Sequence, residues 1–340
     1  MKFKFFKYRV QNIYFPFIHY TSYSNRVRLC FTAGIVMKAK AFSPGHITGF
    51  FQICDEPENP LMKGSRGAGV SVSRGVTTNV EVSRTPKTRG SVRINGCITQ
   101  SASVSEAVIS RLLELTPSQG FDIQVIHDVA LPIGYGFGTS GAAALSLALA
   151  LNKALDLDLP RKRVAQIAHT VEVELKTGLG TVIAENVGGI EIRVVAGGPD
   201  VGLVEILPAS RDYVVVCLPF GPISTAQNLK DRKVRQRINE RGELLTEALR
   251  SHPTVANFLQ YSRDFAEHVG IITNRVHSVL EETDKAGFTC STAIFGENVF
   301  SLVFPDQVQE ISAIFDRYKT PDHDVLVMNV DCDGAKLLDE

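Results

Sequence analysis

Pro132-Ile133-Gly134-Tyr135-Gly136-Phe137-Gly138-Thr139-Ser140-Gly141-Ala142 runs straight into Ala142 to Leu155, a stretch that is almost wholly apolar and contains no Gly or Pro. An apolar run of that length predicts a helix buried on every side. The glycines before it let the backbone turn with its N–H groups pointing inward, and the helix start adds partial positive charge. Together they make a concave anion site for a nucleotide's di- or triphosphate. Its residues would be Pro132, Gly134, Gly136, Gly138, Thr139, Ser140, Gly141 and Ala142. The Ser140 hydroxyl can meet a phosphate or a Mg²⁺ ion. No Gly-Lys-Ser/Thr follows, so this is no Walker loop, and no later ribose acid marks a dinucleotide fingerprint. Taken alone, a glycine turn capped by Thr139 or Ser140 accounts for the same residues.

Outward from this loop, strand patterns come first. Ala39 to Phe42, Gly69 to Val82, Ser91 to Ile94 and Phe121 to Ile126 alternate or run apolar as half-buried strands do. Ser103 to Leu115 has helical periodicity, and a second helix, Arg161 to Lys176, follows Pro160 at a position where helix starts tolerate proline. Gly178 and Gly180 break that helix, a short one starts at Thr181, and Ile190 to Val195 returns as a strand. Gly197-Gly198-Pro199-Asp200 is the densest punctuation and sets the expected division into domains 37–200 and 201–340. The second half reads as strands at Leu203 to Leu207 and Tyr213 to Leu218, then helices over Ala226 to Leu280. A strand pair over Ser291 to Phe304, a helix from Asp306 to Tyr318 and a strand over Asp324 to Val330 follow. Strands and helices mixed without a strict βαβ rhythm give an α+β class.

Composition narrows the function. Lys+Arg and Asp+Glu both number 36, a formal net charge of zero, which argues against a nucleic-acid binder. The six cysteines form no Cys-x-x-Cys pair, so reduced thiols in a cytoplasmic protein are the simple reading. No apolar run is long enough for a membrane span. Residues 1–36 are basic and aromatic without one acid, and lack the apolar core of a secretory signal. Met37 stands directly before the first strand pattern, so the functional chain is expected to begin there, with 1–36 a disordered leader or sequence upstream of the true start.

Two further segments give the loop its context. Pro44-Gly45-His46-Ile47-Thr48-Gly49-Phe50-Phe51 follows the first strand, and Lys285-Ala286-Gly287-Phe288-Thr289-Cys290-Ser291-Thr292-Ala293-Ile294-Phe295-Gly296 lies near the end. In order and spacing they resemble the first and third motifs of the GHMP kinases, with Pro132 to Ala142 as the second, Pro-x-x-x-Gly-Leu-Gly-Ser-Ser-Ala. Phe137 stands at the Leu and Thr139 at the first Ser, and the third motif keeps few of its usual glycines. Within that superfamily the finer resemblance is to the archaeal pantoate kinases. It is carried by Ala41 to Phe51, Lys63-Gly64-Ser65-Arg66-Gly67-Ala68-Gly69-Val70, and Lys176-Thr177-Gly178-Leu179-Gly180 followed by Gly188-Gly189. The likeness runs from about Lys38 to the C-terminus. It implies a two-domain fold, an N-terminal half like ribosomal protein S5 domain 2 and a ferredoxin-like C-terminal half, with the active site between them. The implied activity is ATP- and Mg²⁺-dependent phosphorylation of pantoate for coenzyme A synthesis, and the resemblance also implies a homodimer.

Residue roles follow from the same likeness. Ser140 and Glu172 are the expected Mg²⁺ ligands. Glu174 lies about 200° around the helix from Glu172 and cannot face the same ion. After Thr-Gly-Leu-Gly the family commonly has an Asp as base, and here Thr181 replaces it. Glu185, one helical turn on, could share its face and stand in. Arg193 is expected to grip the acceptor's carboxylate with its planar fork, with Ser65, Arg66 and His46 as further substrate contacts. The plainer alternatives are an Arg193–Glu191 pair at a sheet edge, Arg66 solvated in a turn, His46 packed in a loop, and Glu172 on a surface face. The run from Lys230 to Arg241 reads as a solvated helix face. Three functional readings remain: a pantoate kinase, a kinase for another hydroxy acid such as mevalonate or homoserine, and a nucleotide-binding chain without activity. An RNA-binding module, prompted by the S5-like topology, is opposed by the neutral charge.

Overall fold

A computed structural model describes residues 36–117, 120–208, 210–223 and 232–339. The leader up to residue 35 therefore lies outside the described residues, as does the start of the basic run at Lys230. Two long strands form the spine. β1 (Val36–Cys54) and β2 (Gly64–Arg84) pair antiparallel from Val36–Ser83 to Cys54–Gly64, with register shifts at Pro44/Gly45 and Thr48/Phe50. Two expectations change here. The Pro44 to Phe51 motif is not a loop after the strand, and Gly64 to Gly69 is not a turn. Both lie inside the ladder, because bulges absorb their irregular backbone without ending the pairing.

The far edge of β2 is shared. Val76 to Arg84 pairs with β5 (Phe121–Val129), which lies parallel to β3 (Arg89–Ile94) and is followed outward by β4 (Cys97–Ile98). Gly67 to Val70 pairs with β6 (Ile190–Val195), itself flanked by β7 (Leu203–Ile206). Between these partners β2 meets the chain near Val330, through a Val72–Val330 bridge and the Asp331 N–H donating to the Ser71 carbonyl, and the Pro132 to Gly138 loop follows the end of β5. β11 (Lys336–Leu338) closes the other side of β1. The sequence division at residue 200 does not coincide with the sheets, since β7 and β11, beyond it, both join the first sheet. A smaller sheet orders β10 (Leu326–Asn329), β8 (Val214–Pro222) and β9 (Gly296–Val303).

α1 (Ser103–Leu113), α2 (Thr139–Ala154) and α3 (Arg161–Leu175) cover the first part of β1, where Ala39 and Ala41 join their core. α2 is apolar all round and buries Leu145, Leu147, Leu149 and Leu151 on opposite sides, as the sequence requires. α5 (Arg232–Ser251) and α6 (Val255–Val269) cover the later part, packing Ile238, Phe258 and Phe265 against Ile47, Phe50 and Ile53. α7 (Asn274–Lys285) and α8 (Val308–Phe315) back the small sheet. α4 (Thr181–Val187) is the short helix after the Gly178/Gly180 break.

One buried polar chain fixes the first turn of α2. Ser146 Oγ donates to the Ala142 carbonyl at 2.7 Å, so Thr78 must donate to Ser146 at 2.6 Å. Thr78 can then only accept from His127 Nδ1–H at 2.8 Å, and His127 Nε2 accepts from Ser105 at 3.0 Å. Burial lowers the His127 pKa from 6.5 to about 4, and it is this that leaves the ring neutral near pH 7 with Nε2 as the acceptor. The unfolded chain binds this proton more readily, so stability is lost as pH falls from about 6.5 toward 4. The drop corresponds to about 3 kcal/mol. The difference in urea-unfolding free energy between pH 7 and 4.5 is expected to shrink by about 2 kcal/mol in His127→Gln. An unchanged difference would remove His127 as its source.

Candidate active site

A cavity of about 440 Å³ opens where the loop leaves the sheet. Its walls are the glycine loop, the α3–α4 connection with Thr177 to Thr181, the floor residues His46, Ser65 and Arg193, and Ile294 and Phe295 from the second half. Gly134, Gly136 and Gly138 have φ of 87°, 84° and 64°, a region that only glycine enters without strain. Three contacts hold the loop's outline. The His46 N–H donates to the Phe137 carbonyl at 2.9 Å and the Ile223 N–H to the Gly134 carbonyl at 3.2 Å. Asn298 Nδ2 donates to the Tyr135 carbonyl at 2.8 Å. Gly138 caps α2 and no side chain bonds to that end, so neither Thr139 nor Ser140 is the cap.

Ser140 instead donates to Glu172 Oε1 at 2.7 Å, and Thr177 Oγ1 donates to the same oxygen at 2.6 Å. Glu172 is 2% exposed and its Oε2 has no partner. Burial pushes this carboxyl up, and the two hydroxyl bonds pull it partly back. Glu174 pairs with Arg111 at 2.7 Å on another face, as the helical angle required. Among the described residues no three His, Cys, Asp or Glu cluster to hold a metal unaided. One carboxylate with an unsatisfied oxygen beside one hydroxyl is nevertheless the donor set that a Mg²⁺ ion shared with phosphates and water requires.

Thr181 lines the cavity at the start of α4. Glu185 follows one turn later, fully buried beneath the loop rather than on the cavity wall. A Cβ on Gly138 or Gly141 would lie 2.7 or 2.9 Å from its carboxyl oxygens, neither of which has a partner. Burial, then the charges of Glu172 and Glu191, push its pKa well above the ordinary carboxylate range. A shift in that direction disfavours the carboxylate form that a base needs.

The floor is built by alternation across three strands. His46 on β1 reaches over Gly69 on β2 to Glu191 on β6, Nε2 to Oε1 at 2.9 Å. A Cβ on Gly69 would collide with that imidazole. Glu191 also accepts from Arg193 Nη1, and both side chains are buried. The pair does not sit at a sheet edge, since β6 lies between β2 and β7. Arg193 Nε has no partner and faces the point where Gly180 passes over Ser65 Oγ. Burial lowers the Arg193 pKa and the Glu191 charge opposes the fall. Arg66 parts from this group. Neighbours on a strand face opposite ways, and with Ser65 turned inward Arg66 donates to the Val194 carbonyl at 2.8 Å and bonds to Glu247.

From sequence alone Glu191 is only an edge partner of Arg193 and Thr177 only part of the Lys176 to Gly180 motif, neither with a place in the site. Glu191 had a signal: it stands two residues from Arg193 on a strand whose Ile190, Ile192 and Val194 are apolar. Thr177, a loop residue with no periodicity, had none. Phe295 is a further addition. Its φ of 62° is unusual for a bulky side chain, a strain on the order of 1–3 kcal/mol, and its ring meets Phe51 edge-on at 6.0 Å.

Known proteins resemble this chain over most of its length. Residues 103–189 match the GHMP kinases N terminal domain. A pantoate kinase of Methanocaldococcus jannaschii is 34% identical over 275 residues, covering 80% of this chain and 96% of the relative. One from Thermococcus kodakarensis is 33% identical over 290 residues, covering 84% and 94%. A solved structure described as a phosphotransferase related to the CoA biosynthesis pathway superposes with a TM-score of 0.80 at 30% identity, covering 88% of this chain and 98% of its own. A homoserine kinase from Cytophaga hutchinsonii shares the fold at TM-score 0.66 and 18% identity, over 91% of this chain and 100% of that one. The chain belongs to the pantoate kinase family of GHMP kinases, phosphotransferases that act on a hydroxyl group.

Proposed function

We propose that this chain transfers the γ-phosphoryl group of ATP to the 4-hydroxyl of (R)-pantoate, giving 4-phosphopantoate and ADP in the archaeal route to coenzyme A. One observation carries the reading. A phosphate-shaped loop at a helix start and a buried arginine with an unpaired Nε beside a serine hydroxyl open into the same cavity. The loop and the first turn of α2 bind the phosphates through backbone N–H groups. Arg193 and Ser65 receive the acceptor's carboxylate, and Glu191, bridging His46 and Arg193, keeps the guanidinium oriented. Ser140 and Glu172 would hold Mg²⁺, which when bound neutralises phosphate charge.

Thr181 is no base near neutral pH, and Glu185 lies off the cavity wall, where burial disfavours its charged form. The acceptor hydroxyl therefore keeps its proton until the phosphoryl group has largely moved, as a loose transition state allows, and then loses it to a phosphate oxygen or to water. On this reading Glu185→Gln copies the neutral acid and leaves turnover at pH 7 within about threefold, well below the loss of a true base. A raised carboxyl pKa in the fold also means stability lost as pH rises through it, so the amide should be the more stable form in alkaline urea unfolding. Turnover falling a hundredfold would instead make Glu185 the base. Thr181→Asp should be tolerated or faster.

An ADP-release assay across pantoate, mevalonate and homoserine tests the whole reading. Turnover with pantoate alone supports it. Preference for either other acceptor changes the substrate, and nucleotide binding without turnover on any acceptor leaves a chain that does not catalyse.

A further inference from the structure

The acceptor end of the cavity has an apolar wall that none of this polar chemistry uses. Phe51, Leu179, Ile294 and Phe295 line the same cavity as Ser65 and Arg193, with Leu179 beside the Gly180 that passes over both and the Ile294 carbonyl against Gly136 of the loop. Register explains how ring and cation come to share it. Phe51 on β1 is opposite Gly67 on β2, and Gly67 is opposite Arg193 on β6. Residues paired in this way point to one face, so Phe51 and Arg193 stand two strands apart, about 9.5 Å, across a bare glycine. That strip cannot be filled from the protein, because Gly67 has a φ of 145° and a Cβ there would sit 2.6 Å from the Phe51 Cα. Phe295 then closes the strip from the second half, with its ring against Phe51 despite the left-handed backbone that places it.

The geometry points to an acceptor branched between its carboxylate and the hydroxyl that is phosphorylated. Arg193 and Ser65 hold the carboxylate, and the wall of Phe51, Leu179, Ile294 and Phe295 takes the two methyl groups of a quaternary carbon. The inference rests on the proposed pantoate reading and names what in the site selects that substrate over unbranched hydroxy acids. A single methylene in an apolar pocket is worth about 10- to 200-fold in kcat/KM, so two methyl groups should give on the order of a hundredfold or more.

The test compares pantoate with 2,4-dihydroxybutanoate, which keeps the carboxylate and both hydroxyls but lacks the methyl groups. The native chain should favour pantoate by about a hundredfold in kcat/KM. Phe295→Gly and Leu179→Ala should each cut that ratio below about tenfold, mainly by raising KM for pantoate, with KM for ATP unchanged. Thermal unfolding should not fall in Phe295→Gly to the extent that a purely structural ring would require, because glycine accepts the left-handed backbone. Equal use of the two acceptors by the native chain overturns the inference while leaving the kinase reading intact. So does a rise in KM for ATP at an unchanged acceptor ratio, which would give the wall to the nucleotide base. Turnover with neither acceptor overturns the kinase reading, and the inference with it.

Discussion

Glu172→Gln is expected to lower turnover at least about tenfold, and Ser140→Ala to do the same, with both chains still folded. These are losses of one charge-stabilising contact each. The two side chains touch at 2.7 Å, and Thr177 donates to the same Glu172 oxygen, so they act as one unit. Their losses should accordingly not add: the double variant should be little worse than the poorer single one. Glutamine keeps the shape and can still accept from Ser140, but it carries no charge for a cation, and its amide nitrogen adds a donor where the buried Oε2 now has no partner. The measurement is steady-state kinetics over a Mg²⁺ titration. Glu172→Gln should need more Mg²⁺ to reach half its maximal rate. Rates unchanged in both single variants would remove the metal assignment.

Arg193 gives the second large effect, in two separable parts. Arg193→Gln leaves Glu191 buried without its guanidinium partner, and breaking a buried pair in this way costs about 3–5 kcal/mol of stability. Arg193→Lys keeps the cation and so most of the fold, but loses the planar fork that matches a carboxylate. KM for pantoate should therefore rise at least about tenfold in the lysine variant with kcat changed less, the pattern of a lost binding contact. Urea unfolding and acceptor kinetics on the two variants separate the roles. A lysine variant with native KM would show that Arg193 serves Glu191 and not the acceptor.

The sequence was most readable where local chemistry had no alternative. Four glycines ahead of an apolar run required a turn at a buried helix start, and the structure has it, with α2 beginning at Thr139. Arg161 to Lys176 differs from the observed helix by one residue. It was least readable where glycine serves close approach rather than turning. Gly67 and Gly69 looked like turn residues, yet both lie in β2, where they clear the floor for Phe51 and His46. β11 was not foreseen, because three residues carry too little periodicity, and its pairing with β1 is a contact between opposite ends of the described chain.

The family likeness chose Glu172; what the amino acids determined unaided is the α+β class, the glycine loop, the helix that carries it, and the opposed directions of Glu172 and Glu174. Each depends on spacing within one segment. Only the tertiary structure decided that Glu191 joins His46 to Arg193, that Glu185 lies buried and without a hydrogen-bond partner under the loop, and that Arg66 turns away from Ser65. Those outcomes depend on which strand lies beside which and on how much water is left between them, and a linear spacing records neither.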